Sequence, residues 1–163
     1  MKKSGTVPTY REAVMPKKPP PAVRILPMSR KLPQFVEWDE LAVQDEFFLT
    51  KLPAGNGRFH YTTTALQSEP GTVVLFQYSG FVVASAELLE TVRFDRPIAN
   101  GEFPLRGFYQ FDPLSIRTFT PVDAAHLQKF WPKLPGLGQV KHKLDPAAYA
   151  KFVKSLRKVR KPK

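Results

Sequence analysis

The run Val73-Val74-Leu75-Phe76-Gln77-Tyr78-Ser79-Gly80-Phe81-Val82-Val83-Ala84-Ser85-Ala86-Glu87-Leu88-Leu89 reads as two β-strands joined by a two-residue turn. Ser-Gly suits a tight primed turn, whose backbone twist matches that of paired strands. With Ser79 and Gly80 as the loop, Tyr78 lies opposite Phe81, Phe76 opposite Val83 and Leu75 opposite Ala84. Opposed residues share a face. One face then carries Val73, Leu75, Val82, Ala84 and Ala86, and the other Val74, Phe76, Tyr78, Phe81 and Val83. Both faces are apolar, so the hairpin is expected to be covered on both sides or to use one face for binding.

Outward from this hairpin the chain keeps alternating and turning. Phe47 to Leu49 and Arg58 to Thr64 are read as strands around the turn signal Gly55-Asn56-Gly57, and Arg106 to Asp112 and Ser115 to Phe119 as strands around Asp112-Pro113. Upstream, Glu37 to Phe48 reads as a short helix with Trp38, Leu41, Ala42 and Val43 as its apolar side. Its wet side would carry Glu37, Asp39, Glu40, Asp45 and Glu46. Downstream, Thr120 is expected to cap a helix that has Pro121 in its first turn and stops before Pro132. Pro135-Gly136-Leu137-Gly138 is a turn and Gln139 to Leu144 a strand. Asp145 and Pro146 open a last helix with the stripe Tyr149, Phe152, Val153, Leu156 and Val159. This order predicts an α+β fold, a small and partly open β-barrel with flanking helices and a basic C-terminal helix.

The 163 residues allow one domain plus tails. Seven of the 17 prolines fall in residues 1–33, which read as an extended, proline-rich basic arm. Residues 34–155 are expected to form the domain and residues 156–163 a basic tail. Charge follows the same division. Residues 1–33 carry a net +7, and residues 151–163 carry seven Lys or Arg with no acid; the whole chain is +11, which leaves −3 for residues 34–150. A near-neutral body with two cationic ends attracts polyanions, and nucleic acid is the commonest of these. The competing reading is a solubilising extension without specificity.

The absence of cysteine excludes disulfides and thiolate metal sites. His60, His126 and His142 lack metal-site spacing. The chain has no nucleophile elbow, Walker loop or dinucleotide fingerprint. No cofactor and no metal are expected. No stretch approaches the ~20 apolar residues of a spanning helix, so a soluble cytoplasmic protein without membrane contact is expected.

Candidate binding residues come from three places. On a strand Gln139 to Leu144, Gln139, Lys141 and Lys143 would share one face, fit to contact phosphates or bases, or else to serve as an ordinary wet face. Phe76, Tyr78, Phe81, Phe108, Tyr109 and Phe111 could stack on bases, although most should be core. Tyr78, Tyr109 and Trp38 are expected to be partly exposed, because each has a polar end that needs a partner. Arg106 at the head of its strand, and Lys154, Arg157 and Lys158 on the last helix, complete the cationic set. One nuclease-like pattern pairs Asp112 with Gln139-Val140-Lys141, but a single carboxylate holds Mg²⁺ poorly.

Gly71 to Leu88 resembles the central hairpin of PUA-like domains, the superfamily that includes the EVE and ASCH families. Phe108-Tyr109-Gln110-Phe111-Asp112 through Gly138-Gln139-Val140-Lys141 looks like their second half, so the resemblance covers roughly residues 45 to 155. It implies a small, partly open barrel that binds RNA or a modified DNA base in a cleft. The leading expectation is therefore a non-enzymatic nucleic-acid-binding module with a base-accepting cleft and phosphate-gripping basic ends. The alternatives are a component of a larger complex that docks on a protein partner through residues 1–33, and a degenerate metal-dependent nuclease.

Overall fold

The computed structural model describes residues 19–29, 35 and 37–163. Strand β1 spans Val23–Pro27. Three consecutive helical pieces, Glu40–Ala42, Val43–Lys51 and Leu52–Ala54, follow one another as α1. Then come β2 (Arg58–Tyr61), β3 (Val73–Tyr78), β4 (Phe81–Ile98), β5 (Leu105–Phe111), β6 (Arg117–Val122), α2 (Ala124–Gln128), β7 (Lys143–Leu144) and α3 (Tyr149–Ser155). The architecture is α+β, with one mixed seven-stranded sheet in the order β2-β5-β4-β3-β1-β7 and β6 also on β4. The sheet does not close into a barrel, in partial agreement with the partly open one expected. Its terminal strand β2 is bonded to β5 alone. Among the described residues no helix is long and apolar enough to cross a membrane.

The sheet turns on β4, an 18-residue strand. Its first half pairs with β3 along one edge and β6 along the other, and from Leu88 onward it pairs with β5. The hairpin forms where expected. Ser79 and Gly80 both take positive φ, 54° and 85°, the backbone a primed turn requires. Tyr78 faces Phe81, as expected, but Phe76 pairs with Ala84 and Leu75 with Ser85, because the register slips between Phe76 and Gln77. The slip is a bulge at Val83, which resets the side-chain parity. Val83, Ala84, Ala86 and Leu88 consequently all join the core cluster of Val74, Phe76 and Tyr78, while Val82 stays with Leu75 on the other side.

Both faces of the hairpin are covered. α1 packs on one through Val43, Phe48 and Leu52. The other meets Leu127 of α2, Trp131, Leu134 and Phe152 of α3. Residues 47–49, expected as strand, lie within α1, where Gln44, Phe48 and Leu52 recur at helical spacing and are buried. Asp39 caps α1 by accepting the Ala42 N–H at 2.8 Å. Val43–Lys51 is wound as a π-helix, an unusually long run for that form. Gln44 in this segment donates its side-chain amide to the carbonyls of Val83 (3.0 Å) and Phe119 (2.6 Å). It thus ties α1 to β4 at the bulge and to β6.

Three further expectations change. Val23–Pro27, placed in the arm by its proline-rich surroundings, is a buried strand parallel to β3; residues 1–18 and 30–34 lie outside the described residues. Asp123, rather than Thr120, caps α2, accepting the His126 N–H at 2.9 Å, while Thr120 and Pro121 belong to β6. The C-terminal helix ends at Ser155, where Leu156 turns extended. Arg157 to Arg160 then run beside β6, with Thr120 N–H to Arg157 carbonyl at 2.9 Å and a reciprocal Thr118–Arg160 pair at 2.9 and 2.8 Å. Arg160 also meets Asp45 of α1 at 2.8 Å. The basic C-terminus is a docked segment, and one of its cations is spent on the acidic helix.

Gln44→Leu keeps the volume and removes both donors from two buried carbonyls. The expected loss is about 2–3 kcal/mol of stability, read from the urea midpoint at unchanged m-value.

Candidate functional site

The two ends of the sheet face each other across a cleft of about 370 Å³. Leu26, Pro27, Met28 and Ser29, at the end of β1 and just beyond it, form one wall, and Phe59 to Thr63 of β2 and its exit form the other. Tyr109 of β5, Phe103 from the β4–β5 connection, and Gln139 and Lys141 complete it. The cleft is the open seam of the curled sheet. β7 pairs only with Val23 and Arg24, so it leaves the later part of β1 without a strand partner on that side.

Residues 138–142 are irregular, not the expected strand, and only Lys143–Leu144 pair with β1. Alternation therefore does not place Gln139, Lys141 and Lys143 on one face. Hydrogen bonds from below position the segment instead. Gln77 donates its amide to the Gly138 carbonyl at 2.8 Å, and Ile25 N–H reaches the His142 carbonyl at 2.9 Å. The Arg24 guanidinium donates to the carbonyls of Lys141 (3.0 Å) and His142 (3.2 Å). Its other arm reaches Ser68 Oγ (3.0 Å) and the Gln67 carbonyl (3.3 Å).

The opposite loop is held by cations and one phenol. Lys141 Nζ donates to the Thr64 carbonyl at 3.0 Å, across the mouth of the seam, and Arg106 Nε donates to the Thr62 carbonyl at 3.2 Å. The Tyr109 hydroxyl accepts the Leu66 N–H at 2.8 Å. Gly107 lies beneath Tyr61, where any β-carbon would collide with the Tyr61 phenol and the Val92 carbonyl; glycine is what lets Tyr61 lie flat against β5. Tyr61 itself donates to that carbonyl at 3.2 Å.

Among the described residues no Asp or Glu lines the cleft. Arg160–Asp45 is the single ion pair among the described residues, so Arg24, Lys141 and Arg106 surround the seam with no carboxylate partner. Burial, and secondarily the Arg58 charge, hold the His60 pKa below its usual 6.5, so its ring is neutral at pH 7. Burial pushes the Tyr109 phenol up to about 12, against the opposing effect of the Leu66 N–H. The cleft therefore offers apolar rings, neutral polar groups and cations, which suits a flat or anionic guest and not a metal ion.

Of the residues singled out in the sequence, Tyr109, Gln139 and Lys141 come together in the cleft, with Arg106 bonded to its wall. The others do not. Tyr78 is fully buried and donates to the Trp38 carbonyl at 2.6 Å, so neither Tyr78 nor the equally buried Tyr109 is partly exposed as expected. Trp38 is half-buried, with Lys51 Nζ 5.0 Å from its ring. Phe76 and Phe111 are also core. Lys143 is exposed on β7; Lys154, Arg157 and Lys158 are exposed on α3 and the segment beside β6, which contributes nothing to the cleft. The two halves of the nuclease-like pattern remain apart. Asp112 spends its carboxylate on the Leu114 N–H at 2.9 Å and does not line the cleft with Lys141. Among the described residues no His, Asp or Glu cluster could hold a metal ion.

Phe59, Tyr61, Thr62, Thr63 and the end of β1 were not singled out. The signal for Phe59 and Tyr61 was present in the alternation of Arg58 to Tyr61, which turns them inward. A search of known families and of curated proteins finds nothing that matches the chain.

Tyr109→Phe keeps the ring and orphans the Leu66 N–H. It should cost about 1–3 kcal/mol and speed hydrogen exchange at Leu66. Because the folded protein holds the phenolic proton more tightly than the unfolded chain, the Tyr109 contribution is complete below pH 10 and is lost as pH rises through about 12. Alkaline unfolding of the Phe variant should lack that component.

Proposed function

We propose that this chain is a non-catalytic nucleic-acid-binding module that takes an unpaired base of RNA or DNA into the seam between β1 and β2. The observation that carries this reading is the cleft itself, floored by the buried Phe59 and Tyr61, flanked by the half-buried Phe103, rimmed by Gln139 and Lys141, and lined by no carboxylate among the described residues. Rings stack on a base whatever its identity, an amide can read a base edge, and a lysine beside the opening can meet the adjoining phosphate. Arg106 supplies a further cation beside the cleft, while Arg157 and Lys158 are exposed on the segment docked along β6, away from the cleft lining.

A strongly bent sheet with an unsealed seam also agrees with the PUA-like reading, in which a partly open barrel holds a base in its cleft. Docking on a protein partner through residues 1–33 is the second reading, and most of those residues lie outside the described ones. Removing residues 1–33 would delete β1, so the test uses point substitutions.

Fluorescence anisotropy with labelled single-stranded RNA and DNA should show affinity that falls linearly in log–log form with salt. Three phosphate contacts correspond to a slope of about −2. Gln139→Ala with Lys141→Ala should weaken binding about tenfold or more while the chain remains folded by circular dichroism. Salt-independent binding, or binding indifferent to both substitutions, would contradict the proposal.

A further inference from the structure

The strands that build the cleft have a second face. Across β2, β5 and β4, Arg58 pairs with Gln110 and Glu90, and His60 with Phe108 and Val92. Paired residues share a face, and the intervening Phe59, Tyr61 and Tyr109 belong to the core, so this row points outward. The His60 ring lies 5.6 Å from Phe108 and 6.3 Å from Phe94, and Phe94 lies 6.1 Å from Phe108. Arg58 sits over Phe108 at 4.9 Å. Among the described residues, Val92, Phe94 and Phe108 are packed against neither core cluster.

We propose that this face is a stacking platform for single-stranded nucleic acid, reached from the cleft across the edge of β2, so that one base enters the seam while its neighbours lie on Phe108 and Phe94. The inference rests on the nucleic-acid reading and adds to it a path, a footprint and a strand state. Two features of the surface select the occupant. The first is adjacency: β2 turns Phe59 and Tyr61 toward the cleft and Arg58 and His60 to the opposite face, where the His60 ring lies beside both phenyl rings, so only the width of this edge strand separates the two surfaces. The second is charge: Arg58 lies over Phe108 and Arg106 stands two residues before it on the same face of β5, with Glu90 across from Arg58 through Gln110, an arrangement suited to phosphates beside stacked bases. A single strand exposes base faces to such rings, and a duplex buries them. Arg58 serves twice, covering one ring and presenting its remaining donors outward.

The test measures anisotropy of fluorescein-labelled single strands of about two, four and eight nucleotides, and of a duplex, against the full chain. Affinity should rise from about two to four nucleotides. Phe94→Ala and Phe108→Ala should each remove about tenfold of the affinity for the longer strands while leaving the shortest strand unchanged. Phe108→Trp should restore it, with an indole fluorescence that is quenched on binding; this variant keeps a ring and reports even if Phe108→Ala fails to fold. Salt-sensitive binding that depends on Lys141 but ignores both ring substitutions would overturn this inference and leave the cleft reading standing. No binding by the unaltered chain would overturn both. A self-association by light scattering that the ring substitutions abolish would assign the face to a second copy and overturn the platform.

Discussion

One strand has to serve two halves of the sheet, and the shape of the molecule depends on how it does so. β4 pairs with β3 and β6 along its first half and with β5 along its second. A straight strand of that length would hold the sheet flat. Register shifts at Val83 and at Leu89 each place an extra residue on β4, which bends and twists it. The bend turns β2 back toward β1 without bringing the two into hydrogen-bonding register. Gln44 fixes the first bulge from above through the Val83 and Phe119 carbonyls, so α1, the bulge and β6 form one unit. The cleft is a consequence of this curvature.

How the seam is held explains why it carries unpaired positive charge. Lys141 to Thr64 and Arg24 to Gln67 tie the β1 side to the segment beyond β2, and Arg106 to Thr62 braces the β2 wall, each a cation donating to a backbone carbonyl. A carbonyl neutralises less of a cation's field than a carboxylate would, so the mouth of the cleft stays electropositive. Among the described residues no acid lines the cleft, and five are engaged elsewhere. Asp39, Asp112, Asp123 and Asp145 accept backbone N–H groups at the starts of helical turns, and Asp45 pairs with Arg160. The expectation that loose basic ends would grip an anionic polymer is replaced, at the C-terminal end, by a docked segment with exposed cations.

The hairpin, its turn and its double coverage were legible in the sequence because Ser79-Gly80 and the apolar runs around them leave few alternatives. β5 and the Arg58 to Tyr61 strand were legible for the same reason of alternation. The bulge was not legible, since nothing in Val82-Val83-Ala84 marks which residue is extra, and the face of Ala84 and Ala86 was therefore misassigned. β1 was hidden by its surroundings. Pro21 precedes it and Pro27 ends it, so the strand loses no interior donor, yet the local composition reads as an arm. Of the cleft, Tyr109, Gln139 and Lys141 were found from residue chemistry, the last two through an alternation argument the structure does not support. The missing wall came from β1 and β2, which meet only through curvature of the whole sheet.

The most direct test is an amide chemical-shift titration of the isotopically labelled chain with a short single-stranded oligonucleotide. Base binding in the seam predicts that shifts concentrate at Phe59–Thr63 and at Leu26, Met28 and Ser29, its two walls, and at residues 139–141 on its rim. Shifts confined to residues 154–163, with the seam unmoved, would contradict it.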